Sequence, residues 1–216
     1  KNIFLEKKIL IYGLGKSGLS ASKFLKRNNK VIEYDDKKNK NYEKIRKIEF
    51  DYIILSPGID INKCKLNNFL KKNYNKIHTD LDIFYNNYRY NYKITITGTN
   101  GKSTTAKILY EVIKAQKIDV RLVGNIGNPV LLEKNITNKT IFIIEASSYQ
   151  LAYSKLFKSN ISMILNISPD HLDRHKTISG YINAKFKLIK GQSKDDLAIL
   201  NYDNFYDNIS LINNHF

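Results

Sequence analysis

The strongest constraint on this chain is the stretch Lys93-Ile94-Thr95-Ile96-Thr97-Gly98-Thr99-Asn100-Gly101-Lys102-Ser103-Thr104-Thr105. A β-branched run, Ile94 to Thr97, enters a glycine-containing loop, and a helical pattern leaves it through Ile108, Leu109, Val112 and Ile113. Strand, loop, Gly-Lys-Ser and helix in that order is the layout of a phosphate-binding loop. The N–H groups of such a loop and of the first helical turn converge on one spot, where the helix dipole also favours an anion. Gly98, Thr99, Asn100, Gly101, Lys102, Ser103 and Thr104 are therefore candidate ATP contacts. Lys102 offers a positive charge to the β- and γ-phosphates, and Ser103 a hydroxyl to Mg²⁺. The usual pattern G-x-x-x-x-G-K-[ST] is broken at one place, where Ile96 stands for its first glycine. A plain strand-turn-helix, with Gly98 and Gly101 serving only the turn, is the competing reading.

A second glycine loop lies near the start. Lys8 to Tyr12 reads as a buried strand running into Gly13-Leu14-Gly15-Lys16-Ser17-Gly18, then a helical pattern through Leu19, Phe24 and Leu25. Val31 to Tyr34 is the next strand, with Asp35-Asp36 at its end. G-x-G-x-x-G in a β-α-β context, with an acid about 20 residues on, is the dinucleotide fingerprint. NAD and a UDP-sugar both suit it; a glycine turn that binds nothing is the bland alternative. Tyr52 to Leu55 is a third strand, and it ends in Ser56-Pro57-Gly58-Ile59, where open α/β sheets bind ligands. Leu66 to Tyr74 reads as a helix. Asn86 to Tyr92 lack a clear period, so a domain boundary is expected there, separating residues 1–90 from 91–216.

Beyond the phosphate loop, Val120 to Val123 is a strand followed by Gly124-Asn125-Ile126-Gly127. Thr140 to Ile144 is another, ending in Glu145, a carboxylate that suits a Mg²⁺ ligand or, more blandly, an acid before a turn. Ile161 to Ile167 delivers Ser168-Pro169-Asp170-His171-Leu172-Asp173-Arg174-His175. The i,i+4 spacing of His171 and His175 makes a zinc pair thinkable. No cysteine or HExxH arrangement completes one, so His171 is read as lying near a hard cation or phosphate and His175 as a surface or supporting residue. Tyr181 to Lys190 is an amphipathic helix carrying Lys185, which its own neighbours would call a solvated lysine, and Leu197 to Leu200 is a last strand.

Composition removes several classes. Net charge is +16, yet the excess is mostly lysine spread along the chain, with no basic run interleaved with aromatics that would stack bases. A nucleic-acid partner is therefore not expected. Cys64 is the only cysteine, which excludes a disulfide framework within the chain and a cysteine metal cluster. No apolar run approaches the length of a membrane span and no signal-peptide pattern opens the chain, so a cytoplasmic protein is expected.

Taken together, Thr97-Gly98-Thr99-Asn100-Gly101-Lys102-Ser103-Thr104, Gly124-Asn125-Ile126-Gly127, Glu145-Ala146-Ser147-Ser148-Tyr149-Gln150-Leu151 and Asn166-Ile167-Ser168-Pro169-Asp170-His171-Leu172-Asp173 resemble the Mur ligases of peptidoglycan precursor synthesis. With Gly-Leu-Gly-Lys-Ser-Gly and Ser-Pro-Gly in the first part, the resemblance covers nearly the whole chain. It implies an α/β architecture: a Rossmann-like domain over 1–90 for a UDP-linked substrate, then a P-loop ATPase-type α/β central domain over 91–216, truncated. The spelling of the motifs looks most like the member that adds D-glutamate to UDP-N-acetylmuramoyl-L-alanine, using ATP and Mg²⁺ through an acyl phosphate, in a protein expected to be monomeric. Carried over residue by residue, Lys102, Asn125, His171 and Lys185 would be catalytic, and Ser103, Glu145, His171 and a carbamylated Lys185 would serve the metals. Leu14, Gly15, Lys16, Ser17, Asp35, Ser56 and Gly58 would hold the UDP-substrate. Asp36 stands where the family often has threonine, which puts the uracil contacts in question. The family's third domain and its adenine contacts are missing from these 216 residues, so they are expected to be catalytically incomplete alone. Another Mur ligase, a folylpolyglutamate-synthase-like ligase, an NAD-dependent oxidoreductase and a non-catalytic nucleotide-binding module are the alternatives.

Overall fold

The structure, a computed structural model, describes residues 2–38 and 41–201. The end of the second expected domain, 202–216, lies outside the described residues. The chain divides into two compact units. One is built from the chain up to Arg89 with Pro129–Leu132 and Tyr153–Leu156; the other from Tyr90–Asn128, Glu133–Ala152 and the described residues from Phe157 on.

In the first unit the elements run β1 (Lys8–Tyr12), α1 (Lys16–Leu25), β2 (Lys30–Tyr34), α2 (Tyr42–Arg46), β3 (Tyr52–Leu55), α3 (Asn67–Lys72), β4 (Ile77–His78) and α4 (Asp80–Asn87). The strands form a parallel sheet in the order β2-β1-β3-β4. β1 is central, and Ile9, Leu10, Ile11 and Tyr12 are all fully buried. That is why it reads as an unbroken apolar run rather than an alternating one. At the start of α4, Asp82 reaches back to accept the Thr79 N–H at 3.2 Å. The same Asp82 carboxylate accepts from His78 Nδ1, Ser154 Oγ and the N–H groups of Lys155 and Leu156, which fastens the later segment to this unit. Burial alone would push the Asp82 carboxyl up, but these donors outweigh it and hold it below the usual range.

The second unit runs β5 (Lys93–Thr97), α5 (Lys102–Ala115), β6 (Val120–Gly124), β7 (Ile141–Glu145), α6 (Ser148–Tyr153), β8 (Ile161–Ile164), α7 (Leu172–His175), α8 (Ile178–Lys190) and β9 (Leu197–Leu200). Its sheet is also parallel, in the order β6-β7-β5-β8-β9. β5 alternates Ile and Thr, and its two faces separate accordingly. Ile94 and Ile96 pack with Ala106, Leu109 and Ile113 of α5, whereas Thr95 Oγ1 donates to Ser159 Oγ and Thr97 Oγ1 lies 3.5 Å from Lys185 Nζ of α8.

Strand order positions both candidate sites. From β1 the chain crosses to β2 on one side, and from β3 to β4 on the other; β5 and β8 likewise send their connections in opposite directions. The carboxyl ends of such strand pairs are where open parallel sheets leave a crevice for ligands. Both glycine loops leave β1 and β5 at those points.

Candidate active site

In the first unit, Gly15 caps α1 without a side-chain hydrogen bond, so the helix presents its N-terminal amides beside Leu14, Lys16 and Ser17. The turn is fixed from both neighbouring strands. Ser56, at the end of β3, donates its hydroxyl to the Gly13 carbonyl at 2.6 Å. Asp35, at the end of β2, accepts from the Leu14 N–H at 2.7 Å and the Lys37 N–H at 3.0 Å. The Leu14 bond leads in holding the Asp35 carboxyl below its usual range. Gly18 has no room for a side chain, since a Cβ would lie 1.8 Å from the Gly13 oxygen and 2.6 Å from Ser56 Oγ. Gly58 is exposed with open space around it. Asp36 is turned to internal work: Oδ1 accepts the Tyr12 hydroxyl at 2.7 Å and Oδ2 the Lys65 N–H at 3.1 Å.

The second unit gathers most of the remaining candidates at the carboxyl ends of β5, β7 and β8. Gly101 adopts a left-handed conformation, φ +81°, as the residue before α5, and Thr105 N–H closes the first helical turn on its carbonyl. Lys102 Nζ donates to the Gly98 and Thr99 carbonyls at 2.9 and 2.8 Å, so the ammonium lies in the loop it belongs to. Glu145 is 1% exposed, and its two oxygens accept from Ser103 Oγ at 2.7 Å and Asn125 Nδ2 at 2.9 Å. Ser103, Glu145 and Asn125 thus meet at one carboxylate. These are hard oxygen donors at a helix N-terminus, a set that fits Mg²⁺ shared with phosphate oxygens. Among the described residues no three His, Cys, Asp or Glu side chains group to hold a metal.

His171 sits at φ +53° before α7, with its ring 4.9 Å from that of Tyr149. His175 stacks on the same ring at 5.5 Å and meets Ser148 Oγ at 3.0 Å. Burial, reinforced by Arg174, lowers its pKa to about 4, so it is neutral near pH 7. Lys185 is a correction to the reading from its immediate neighbours: it is 1% exposed. It falls one turn after Tyr181 on the inward face of α8, with Nζ 4.5 Å from that ring and 2.7 Å from the Gly98 carbonyl. Burial, then the nearby Lys102 charge, lowers its pKa to about 7.

One residue that sequence reasoning quoted without assigning it a role is Asn166. Its Oδ1 accepts the N–H groups of Thr99 at 3.1 Å and Asn100 at 2.8 Å, and its Nδ2 donates to the Asn100 carbonyl at 3.1 Å. Thr99 Oγ1 accepts from the Ser168 N–H and lies 3.1 Å from the Tyr181 hydroxyl. The segment leading to His171 is therefore tied to the phosphate loop through Asn166, Ser168 and Thr99.

Residues 96–214, more than half of the chain, match the family model described as the Mur ligase middle domain. This chain belongs to the Mur ligase family. It is 38% identical over 95% of its length to the UDP-N-acetylmuramoylalanine–D-glutamate ligase of Rickettsia felis, covering 48% of that protein. It is 37% identical over 94% of its length to the enzyme of the same name from Lachnoclostridium phytofermentans, covering 49% of it. The chain thus spans about half the length of the curated relatives it matches. Among solved Mur ligases, the UDP-N-acetylmuramate:L-alanyl-gamma-D-glutamyl-meso-diaminopimelate ligase from Neisseria meningitidis superposes with a TM-score of 0.61 at 14% identity, over 97% of this chain and 75% of that one. The UDP-N-acetylmuramate-alanine ligase of Thermotoga maritima gives 0.51 at 19% identity, over 92% and 50%. The expected α/β class, a Rossmann-like unit followed by a P-loop ATPase-type unit, stands on this fold likeness. No helix among the described residues is long and apolar enough to cross a membrane.

Proposed function

We propose that this Mur ligase chain serves an ATP-driven synthesis joining D-glutamate to UDP-N-acetylmuramoyl-L-alanine, in the cytoplasm, for peptidoglycan precursors. The observation that carries the reading is the meeting of Ser103, Glu145 and Asn125 beside the Lys102 loop, in a chain whose relatives bear that enzyme's name. In this reading the L-alanine carboxylate oxygen attacks the γ-phosphorus and the P–O bond to ADP breaks. The D-glutamate amine then attacks the acyl carbon, the C–O bond to phosphate breaks, and the surplus proton leaves with solvent.

Little covalent chemistry falls to the protein, so its residues act by position and charge. Lys102 turns its ammonium from loop carbonyls toward the phosphates, whose β- and γ-oxygens it neutralises. The amides of the first turn of α5 face the same anion, with Gly98 to Thr104 forming the cradle. Asn125, held by Glu145, orients the carboxylate to be phosphorylated. Ser103 and Glu145 would hold one Mg²⁺, and His171 with Lys185 a second, supplying positive charge to the transferring phosphoryl group. Lys185, with a pKa of about 7, is available as the free amine that carbamylation by CO₂ requires. In the first unit, Leu14, Gly15, Lys16 and Ser17 would meet the diphosphate at the α1 N-terminus, and Asp35 the uracil. Ser56 supports that loop through Gly13 rather than offering its proton to the ligand, and Gly58 leaves space beside it.

The test is calorimetric titration of the protein with UDP-N-acetylmuramoyl-L-alanine, ATP with Mg²⁺, and NADH. Binding of the first two without the third is expected. Binding of NADH in place of the UDP-substrate would return the chain to the oxidoreductase class.

A further inference from the structure

We infer that Asn166 is a positioning residue of the nucleotide loop, acting as a carboxamide clamp that sets which loop amides face the phosphates. The inference rests on the reading of that loop as a nucleotide site and adds a residue to it. Asn166 follows β8, the strand whose connection runs opposite to that of β5, so it stands across the crevice from the loop. Its hydrogen bonds are mutually consistent in only one amide orientation: two N–H donors need its oxygen, and the Asn100 carbonyl needs its NH₂.

The geometric consequence is a division of the loop. The amides of Thr99 and Asn100 are taken by Asn166, and the Thr99 N–H also reaches the Asn166 backbone carbonyl at 3.0 Å. The Asn100 peptide is held on both its edges, N–H and C=O. That fixes the approach to Gly101, whose left-handed φ of +81° turns the chain into α5. The amides from Gly101 onward then face the anion. Asn166 need not touch the nucleotide to raise its affinity, because it removes alternatives the loop would otherwise sample. It also joins the phosphate loop to the strand end that leads through Ser168 to His171, so the two sides of the crevice keep one spacing.

The test pairs two substitutions with two readouts. Asn166→Ala removes the clamp; Asn166→Asp keeps the acceptor for both amides, loses the donor to the Asn100 carbonyl and adds a negative charge. In the protein without nucleotide, amide exchange at Asn100 should accelerate about tenfold in Asn166→Ala and stay protected in Asn166→Asp, while Thr99 keeps its bond to the residue 166 backbone carbonyl in both. ATP binding should weaken about tenfold in Asn166→Ala. In Asn166→Asp it should weaken in a way that salt relieves, and UDP-N-acetylmuramoyl-L-alanine binding should hold in both. Wild-type protein that binds ATP, with Asn166→Ala binding it equally well, would overturn the clamp alone. Failure of wild-type protein to bind ATP would overturn the nucleotide reading and the clamp's role with it. Should Asn166→Ala not fold, Asn166→Asp decides through the amides: an Asn100 N–H that stays protected supports the clamp, and one that exchanges freely while the protein is folded rejects it.

Discussion

The glycine loop of the first unit and that of the second both leave a central parallel strand where the strand connections diverge. The means of holding them differ. The first is fixed by an ionised carboxylate and a hydroxyl, Asp35 on the Leu14 amide and Ser56 on the Gly13 carbonyl, and by a glycine with no space for a side chain. The second is fixed by a neutral carboxamide, Asn166, and by a glycine chosen for its backbone angle. A lysine and a buried glutamate lie beside the second loop. In the proposed reading, where this loop takes a nucleotide and its cations, a neutral clamp adds no charge of its own. The first loop, offering a helix N-terminus alone, can carry an acid at its crest.

The largest expected effect separates the two glycines. Gly18→Ala forces a Cβ onto the Gly13 carbonyl and should cost about 3 kcal/mol or prevent folding of the first unit, read from the urea midpoint. Relief by a shift of flexible side chains alone would sink this, because the obstructing atom is backbone. Next in size, Lys102→Ala should weaken ATP binding by about 10²-fold. The same substitution should leave UDP-N-acetylmuramoyl-L-alanine binding within about twofold. A parallel loss of both ligands in calorimetry would show that the loops are not separate sites. Gly101→Ala meets nothing closer than Leu165 Cδ1 at 3.6 Å, so only its left-handed φ is penalised. It should cost about 1–2 kcal/mol, and Gly101→Asn less, since asparagine tolerates that region. Equal losses for alanine and asparagine would mean space, not angle, governs this position.

The contrast also marks what local sequence can carry. β1, β3 and β5 were readable because buried parallel strands need continuous or β-branched apolar runs, and both glycine loops because a tight strand-to-helix turn constrains where glycine can stand. The expected strand over 161–167 is shorter, ending at Ile164, although the Leu165 N–H still reaches the Thr97 carbonyl. The two-residue β4 and the Asp82 bond back to the Thr79 N–H at the start of α4 escaped, the first through brevity and the second because Asp is not the usual Glu or Gln three residues into a helix. Lys185 looked solvated because its burial depends on α8 packing against β8 and reaching the Thr97–Gly98 end of β5, which no window around residue 185 reveals. Asn166 and Asp36 escaped as roles for the same reason: their partners, Thr99 and Asn100 in one case and Tyr12 and Lys65 in the other, are distant in sequence.

The smallest expected effect distinguishes the loops by titration. The Asp35 carboxyl is held below its ordinary 3.8, first by the Leu14 N–H. A carboxyl depressed in the folded state contributes stability that is fully present above the unfolded value and lost as pH falls through the folded one. The Leu14 amide chemical shift should therefore follow Asp35 protonation with a midpoint below 3.8. Asn166 does not titrate, so the Thr99 and Asn100 amides should stay flat through the same acid titration. Asp35→Asn should abolish the Leu14 titration and leave those two amides unmoved. A Leu14 midpoint at or above 3.8, or movement of all three amides together, would mean that charge is not what separates the two clamps. The outcome expected instead is a first loop that slackens only in acid, and a second whose amides remain as ordered at low pH as at neutrality.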